Sequence, residues 1–106
     1  MPKYLWVVSY TAEGTKGLVK EGGSSRQALV DDITKRMGGT LEAFYFAFGG
    51  DDVFVIADLP DHASAAAVSL AVGATGAANI KTVVLLTPEE VDEATKKDVG
   101  YRPPGA

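Results

Sequence analysis

A hairpin signal in the middle of the chain restricts the possible folds most strongly. Two apolar runs, TLEAFYFAF at residues 40–48 and DVFVIADL at residues 52–59, are separated only by GGD. Both runs are rich in β-branched and aromatic residues, which favours strands. Glycine and aspartate tolerate the backbone conformations of tight turns. The pattern therefore predicts an antiparallel hairpin whose connection has two or three residues.

Strand and helix patterns alternate on either side of the hairpin. Residues 3–11 predict a first strand, and residues 12–23, which hold four glycines, predict a loop or a short irregular helix. The segment that follows predicts an amphipathic helix, with Ser24 and Gln27 in capping-box positions and a stop at a glycine pair. The chain thus enters the hairpin from a helix.

The pattern after the hairpin repeats this alternation and ends in an extra helix. Asp61 predicts the N-cap of an alanine-rich helix, residues 79–86 predict a fourth strand, and Thr87 predicts the cap of a C-terminal helix. The order β-α-β-β-α-β predicts a ferredoxin-like α+β domain with a four-stranded antiparallel sheet. We expect one domain over residues 1–98 and an extended or disordered tail over residues 99–106.

The predicted strands carry large apolar side chains on both faces. In the first strand, Trp6 and Val8 point to one face while Leu5 and Val7 point to the other. Helices cover only one face of a ferredoxin-like sheet, and soluble monomers rarely expose several hundred Å² of continuous apolar surface. We therefore expect a second copy to cover the free face and complete a dimeric α/β barrel. Changing the hairpin link from two residues to three reverses which side chains of the paired strands share a face. The face that meets the partner therefore stays open.

Composition excludes several classes of function. The chain has no cysteine and one histidine, His62, so a metal site would need carboxylates almost alone, and we expect no metal and no cofactor. A net charge of −4 disfavours nucleic acid as a partner. The apolar runs have strand length, far below the ~20 residues that span a bilayer, and no secretory signal pattern is present. The expected location is the cytoplasm.

Several segments resemble a known family. They are YTAEG at residues 10–14, MGGTLEAFYFAFG at 37–49, GDDVFVIADLPD at 50–61 and the closing LTPEE. In these segments the chain resembles the GYD domain family, small bacterial proteins of the dimeric α/β-barrel class. Gly50 and Asp52 match the outer positions of the naming motif, and Asp51 replaces its tyrosine. The resemblance implies the fold and a homodimer, for a family of unassigned biochemical function.

A ligand site is expected between the sheet and the glycine-rich segment 12–23, because long connections in compact domains often bind ligands. Asp58 interrupts an apolar strand and is either a solvated strand end or a carboxylate suited to proton transfer. The candidate ligand-binding residues are Trp6, Tyr10, Lys16, Tyr45, Phe54 and Asp58.

Two functional classes fit these residues. The first is a homo-oligomeric module that binds a small ligand or serves as an accessory protein. The second is a cofactor-independent enzyme, an oxygenase, isomerase or cyclase, that acts on a small apolar or aromatic substrate. The sequence assigns no catalytic residue, and fold alone does not choose between these classes. The lack of a cluster of histidines or carboxylates favours the binding module.

Overall fold

A computed structural model describes residues 1–106 and has four strands and four helices. In chain order they are β1 Lys3–Tyr10, α1 Ala12–Glu21, α2 Gly23–Arg36, β2 Thr40–Phe46, β3 Val53–Asp58, α3 His62–Ala74, β4 Ala78–Leu85 and α4 Pro88–Thr95. The strands form one antiparallel sheet in the order β2-β3-β1-β4. The predicted ferredoxin-like α+β fold is confirmed, including the extra C-terminal helix.

Strand register decides which side chains face the helices. Trp6 pairs with Val55 across the β1–β3 ladder, whereas Leu5 pairs with Ile56 on the opposite face. Trp6 and Val55 are both 2% exposed and pack with side chains of α2 and α3. The buried core consists of Tyr4, Trp6, Val53, Val55, Ala57, Leu59, Ala65 and Val68. The register therefore determines which alternate side chains of the strands face the helices, a choice that the sequence left open.

The connection between β2 and β3 is longer than predicted. It has six residues, 47–52, instead of two or three. The Ala47 N–H donates to the Asp52 carbonyl at 2.9 Å, so the loop closes on itself. The Asp52 N–H donates to the Val8 carbonyl, and the Asp52 carboxylate accepts the Tyr10 N–H, both at 2.8 Å. The loop is therefore anchored to the end of β1 rather than formed as a tight turn.

The glycine-rich segment after β1 is a regular helix, which corrects the expected loop or irregular helix. The Thr11 side chain caps α1 by accepting the Gly14 N–H, and Gly22 ends the helix with φ of 85°. The capping-box prediction for Ser24 and Gln27 is wrong, because α2 begins at Gly23 without a side-chain cap. The predicted glycine stop is confirmed at Gly38, where φ is 84°.

The last two helices begin where the sequence predicts. The Asp61 carboxylate accepts the Ser64 N–H at 2.8 Å and caps α3. Thr87 and Glu90 form the capping box of α4. None of the helices combines the length and the apolar character needed to cross a membrane.

The C-terminal arm, residues 87–106, extends away from the sheet. Every hydrogen bond from Thr87 onward stays within the arm, and residues 99–106 contain neither helix nor strand. The radius of gyration is 16.9 Å, against about 13 Å for a compact domain of this length. Three of its apolar side chains stay exposed in the single chain, namely Val91, Val99 and Tyr101.

Candidate functional site

A small cavity lies between the sheet and helices α2 and α3. Its volume is about 70 Å³, and thirteen residues line it. Its aromatic wall consists of Trp6, Tyr10 and Phe44, and Arg26 is the only charged residue of the lining. No aspartate, glutamate or histidine lines the cavity. The cavity is therefore an apolar space with very few polar groups.

Trp6 carries an unsatisfied donor within this lining. Its side chain is 2% exposed, and its Nε1 atom is the only buried side-chain nitrogen or oxygen without a hydrogen-bond partner. Indole nitrogen can only donate. A buried donor without an acceptor costs about 1–3 kcal/mol. The site thus lacks one acceptor at this atom.

The position of Trp6 follows from its strand. β1 lies between β3 and β4, and Trp6 pairs with Val55 on one side and Thr82 on the other. A central strand is hydrogen-bonded along both edges, so the backbone that carries the indole is held in place. The only sequence signal for this placement is the alternation of side chains along β1, which puts Tyr4 and Trp6 on the same, buried face.

Arg26 and Tyr10 supply the other polar atoms of the cavity. Arg26 lies in the first half of α2, and its side chain is 34% exposed. Its nearest ion-pair contact joins Nη1 to the Glu21 carboxylate at 3.6 Å. That distance is longer than the ~2.7–2.9 Å of a good charge-assisted hydrogen bond. The guanidinium therefore keeps donor capacity for another group.

Most predicted site residues lie away from this cavity. Of the candidates, only Trp6 and Tyr10 line it, and Lys16 is exposed on α1 outside the lining. Tyr45 and Phe54 pair with each other on the opposite face of the sheet, where they are 71% and 36% exposed. Phe54 and Trp6 lie on opposite faces of the sheet, so the two rings cannot line one cavity. Ligand binding by any of these residues stays a prediction.

Asp58 also lies on the open face of the sheet. Its Oδ1 atom is 2.9 Å from Lys3 Nζ, and the same ammonium lies 2.9 Å from the Glu42 carboxylate. These two contacts, that to Glu42 first, raise the pKa of Lys3 above its usual value. Asp58 is thus engaged in an ion cluster and cannot reach a ligand in the cavity on the other face.

The open face is a continuous apolar surface with charged ends. Its central side chains are Leu5, Val7, Phe54, Ile56, Val83 and Leu85. The ion cluster of Lys3, Glu42 and Asp58 lies at one end. At the other end the Ser9 hydroxyl donates to Asp51 at 2.8 Å, and Lys81 lies 4.0 Å from the same carboxylate oxygen.

Sequence reasoning missed a contact between Tyr4 and His62. The Tyr4 hydroxyl and His62 Nδ1 share a hydrogen bond, and the two rings meet edge to face with centroids 5.7 Å apart. Burial raises the pKa of Tyr4, and the negative charge of Asp61 adds to this rise. Neither ring lines the cavity. Two features of the sequence could have indicated this contact. Tyr4 lies on the apolar face of its strand, and His62 directly follows a predicted helix cap.

Comparison with known proteins places the chain in one family. The sequence model of the GYD domain matches residues 4–95, from the second residue of β1 to the end of α4. The chain belongs to the GYD domain family. Searches of curated proteins and of solved structures gave no significant match. In this GYD domain, the motif positions Asp51 and Asp52 hold the β2–β3 loop against Ser9 and Tyr10.

Proposed function

We propose that this GYD domain is a homodimeric module that binds a small, mainly apolar molecule in the cavity beneath α2 and α3. The observation that carries the proposal is the buried Nε1–H of Trp6, which has no hydrogen-bond partner although its side chain lines the cavity. A ligand with one hydrogen-bond acceptor would satisfy this donor and fill the cavity at the same time. Such a site fits the general pattern of a pocket with few placed polar groups.

The cavity dimensions limit the ligand. One water-sized probe needs roughly 10–15 Å³, so the 70 Å³ cavity has room for about five to seven non-hydrogen atoms. A buried water needs two to four polar partners. Ten of the thirteen lining side chains are hydrocarbon and offer none, which leaves only Trp6, Tyr10 and Arg26. An apolar ligand with an acceptor therefore suits the site better than water.

The open sheet face supports the second part of the proposal, that the partner is another copy of this chain. The four strands, spaced ~4.8 Å apart, give a flat footprint of about 400 Å² per copy. Side chains standing above the plane raise the accessible area, so two copies would bury on the order of 1,000 Å². This value reaches the lower bound for a specific interface. The exposed apolar side chains of the C-terminal arm would add to it.

The charged ends make the face complementary to itself. Both ends carry groups of both signs, with Lys3 near Asp58 at one end and Lys81 near Asp51 at the other. Two identical faces related by a two-fold axis can therefore oppose unlike charges. A partner with charge of a single sign would match only part of this rim.

The ligand-binding part is tested with a matched pair of probes. 4-Methyl-2-pentanone offers one acceptor on a branched chain of suitable size, whereas 2-methylpentane lacks the oxygen. We expect the ketone to raise the melting temperature more than the alkane. Trp6→Phe should abolish this difference, because it removes the Nε1–H and keeps an aromatic ring. Tyr45→Phe, on the other face of the sheet, is the control and should preserve it. Equal effects of ketone and alkane on the wild-type chain would contradict the proposal.

The dimer is tested by placing a charge in the middle of the open face. Ile56→Lys should convert a dimer to a monomer at micromolar concentration, as measured by light scattering after size exclusion. Val19→Lys is the control, because Val19 is 81% exposed on α1, away from this face. A folded wild-type monomer under these conditions would rule out the homodimer.

A further inference from the structure

We infer that the ligand of this cavity is a small apolar monocarboxylate whose carboxylate pairs with Arg26. The inference rests on the proposed function and adds the chemical class of the ligand. It follows from the kind of polar atoms that the cavity presents and from the incomplete pairing of the one charged group among them.

The cavity offers donors almost exclusively. The Trp6 indole and the Arg26 guanidinium can only donate, and the Tyr10 hydroxyl is the single lining side-chain group that can also accept. A ligand that brings acceptors can satisfy all three groups. A ligand that brings an ammonium group would find one acceptor and would be repelled by Arg26. The lining thus selects for an anion or a carbonyl compound.

The geometry at Arg26 favours a carboxylate over a neutral carbonyl. A guanidinium presents parallel N–H donors that match the two oxygens of a carboxylate. Glu21 occupies this position only loosely, at 3.6 Å, and its side chain is 50% exposed. Since a surface ion pair of this kind contributes little, a ligand carboxylate can replace it at low cost. The remaining lining atoms are hydrocarbon, so the rest of the ligand should be apolar.

The chain offers a direct reporter for the test, because Trp6 is its only tryptophan. A ¹⁵N-labelled sample therefore gives one indole N–H signal, and that signal comes from the cavity. The probes are 3-methylbutanoate and 4-methyl-2-pentanone, which have a similar branched chain and differ in charge. Titration at neutral pH gives a dissociation constant for each probe from the indole shift.

We expect the acid to bind about tenfold or more tightly than the ketone, as is typical of hydrogen bonds to charged groups. Arg26→Gln should remove this preference by weakening the binding of the acid. Glu21→Gln should strengthen acid binding, because it removes the competing carboxylate, and should leave the ketone unaffected. These two variants change exposed or half-exposed side chains, so both should fold.

The outcomes separate the two proposals. If the ketone shifts the indole signal while the acid does not, or if Arg26→Gln keeps the acid preference, the inference fails and the proposed cavity function stands. If neither probe shifts the indole signal, the proposed function fails together with the inference. An acid preference that depends on Arg26 and increases in Glu21→Gln supports both.

Discussion

The Tyr4 hydroxyl and the His62 Nδ1 atom are hydrogen-bonded across the junction of β1 and α3. Tyr4 is 1% exposed, whereas His62 lies at the surface in the first turn of its helix. The bond therefore joins a core ring to a solvated one. It satisfies the only polar atom of a tyrosine side chain that is otherwise buried among apolar groups.

Removal of the Tyr4 hydroxyl should destabilise the fold moderately. Tyr4→Phe keeps the ring and loses the bond to His62, so we expect the melting temperature to fall by about 3–6 °C at pH 7. Tyr101→Phe is the matched control, because Tyr101 is 69% exposed in the C-terminal arm. Equal melting temperatures for wild type and Tyr4→Phe would show that the bond contributes nothing to stability.

The same tyrosine should make stability sensitive to alkaline pH. The pKa of Tyr4 is raised in the folded chain by burial and by the charge of Asp61. The unfolded chain therefore loses this proton first, at about pH 10, and the contribution of Tyr4 is complete below that value and is lost as pH rises further. Melting temperatures between pH 8 and 11 should fall less steeply in Tyr4→Phe than in wild type. Parallel curves would contradict this assignment.

Asp61 should produce the opposite dependence at acid pH. Hydrogen bonds from Ser64 lower the pKa of Asp61 below its ordinary value of 3.8. Its contribution is therefore complete above about pH 4 and is lost as pH falls through the folded-state pKa. Asparagine caps a helix about as well as aspartate. We expect Asp61→Asn to keep most of the stability at pH 7 and to show a flatter loss between pH 5 and 2 in thermal unfolding.

A clear backbone prediction concerns Gly14 in α1. A Cβ built on Gly14 would lie 2.0 Å from the Ala77 carbonyl oxygen. That oxygen also accepts the N–H and the hydroxyl of Thr11. Gly14→Ala must push α1 away and weaken these bonds, so we expect a loss of about 2 kcal/mol or more in urea unfolding.

Gly17 provides the control for this variant in the same helix. A Cβ at Gly17 meets no atom within 4 Å. Since alanine is the better helix former, Gly17→Ala should be neutral or stabilise by up to about 1 kcal/mol. If both variants lose stability equally, the close contact of α1 with Ala77 is not its cause.

The sequence predicted the order of elements well because apolar periodicity and helix caps are local signals. It failed where one inserted residue changes the pattern. In β2 the register shifts between Leu41 and Ala43, so Leu41 and Phe44 both pair with residues on the helix-facing side. Strict alternation of side chains along the strand would place Leu41 on the same face as Tyr45 instead. A β-bulge of this kind leaves no periodic signal in a strand rich in apolar residues on both faces.

The candidate site could be predicted only in part. Trp6 and Tyr10 were predictable because both belong to a clear strand pattern, and Tyr10 lies where that strand meets the glycine-rich segment. Arg26 is one of several cations spread along the first helical region, and the sequence does not show its contact with the cavity because that contact depends on how α2 packs on the sheet. The unpaired indole donor is also a tertiary property. No sequence pattern reports the absence of an acceptor around a buried atom.

Because the C-terminal arm makes no hydrogen bond to the sheet, it should be susceptible to limited proteolysis. Lys96 and Lys97 are exposed there and accessible to trypsin, whereas Arg102 resists cleavage because Pro103 follows it, and no hydrogen bond ties the two lysines to the sheet. Digestion can therefore remove the end of the arm, the residues after Lys96 or Lys97, from a molecule that stays folded. In an assembly that packs the arm against another copy, the same bonds would be shielded. The rate of cleavage at these two lysines would then rise on dilution, so proteolysis would report how far the subunits are associated.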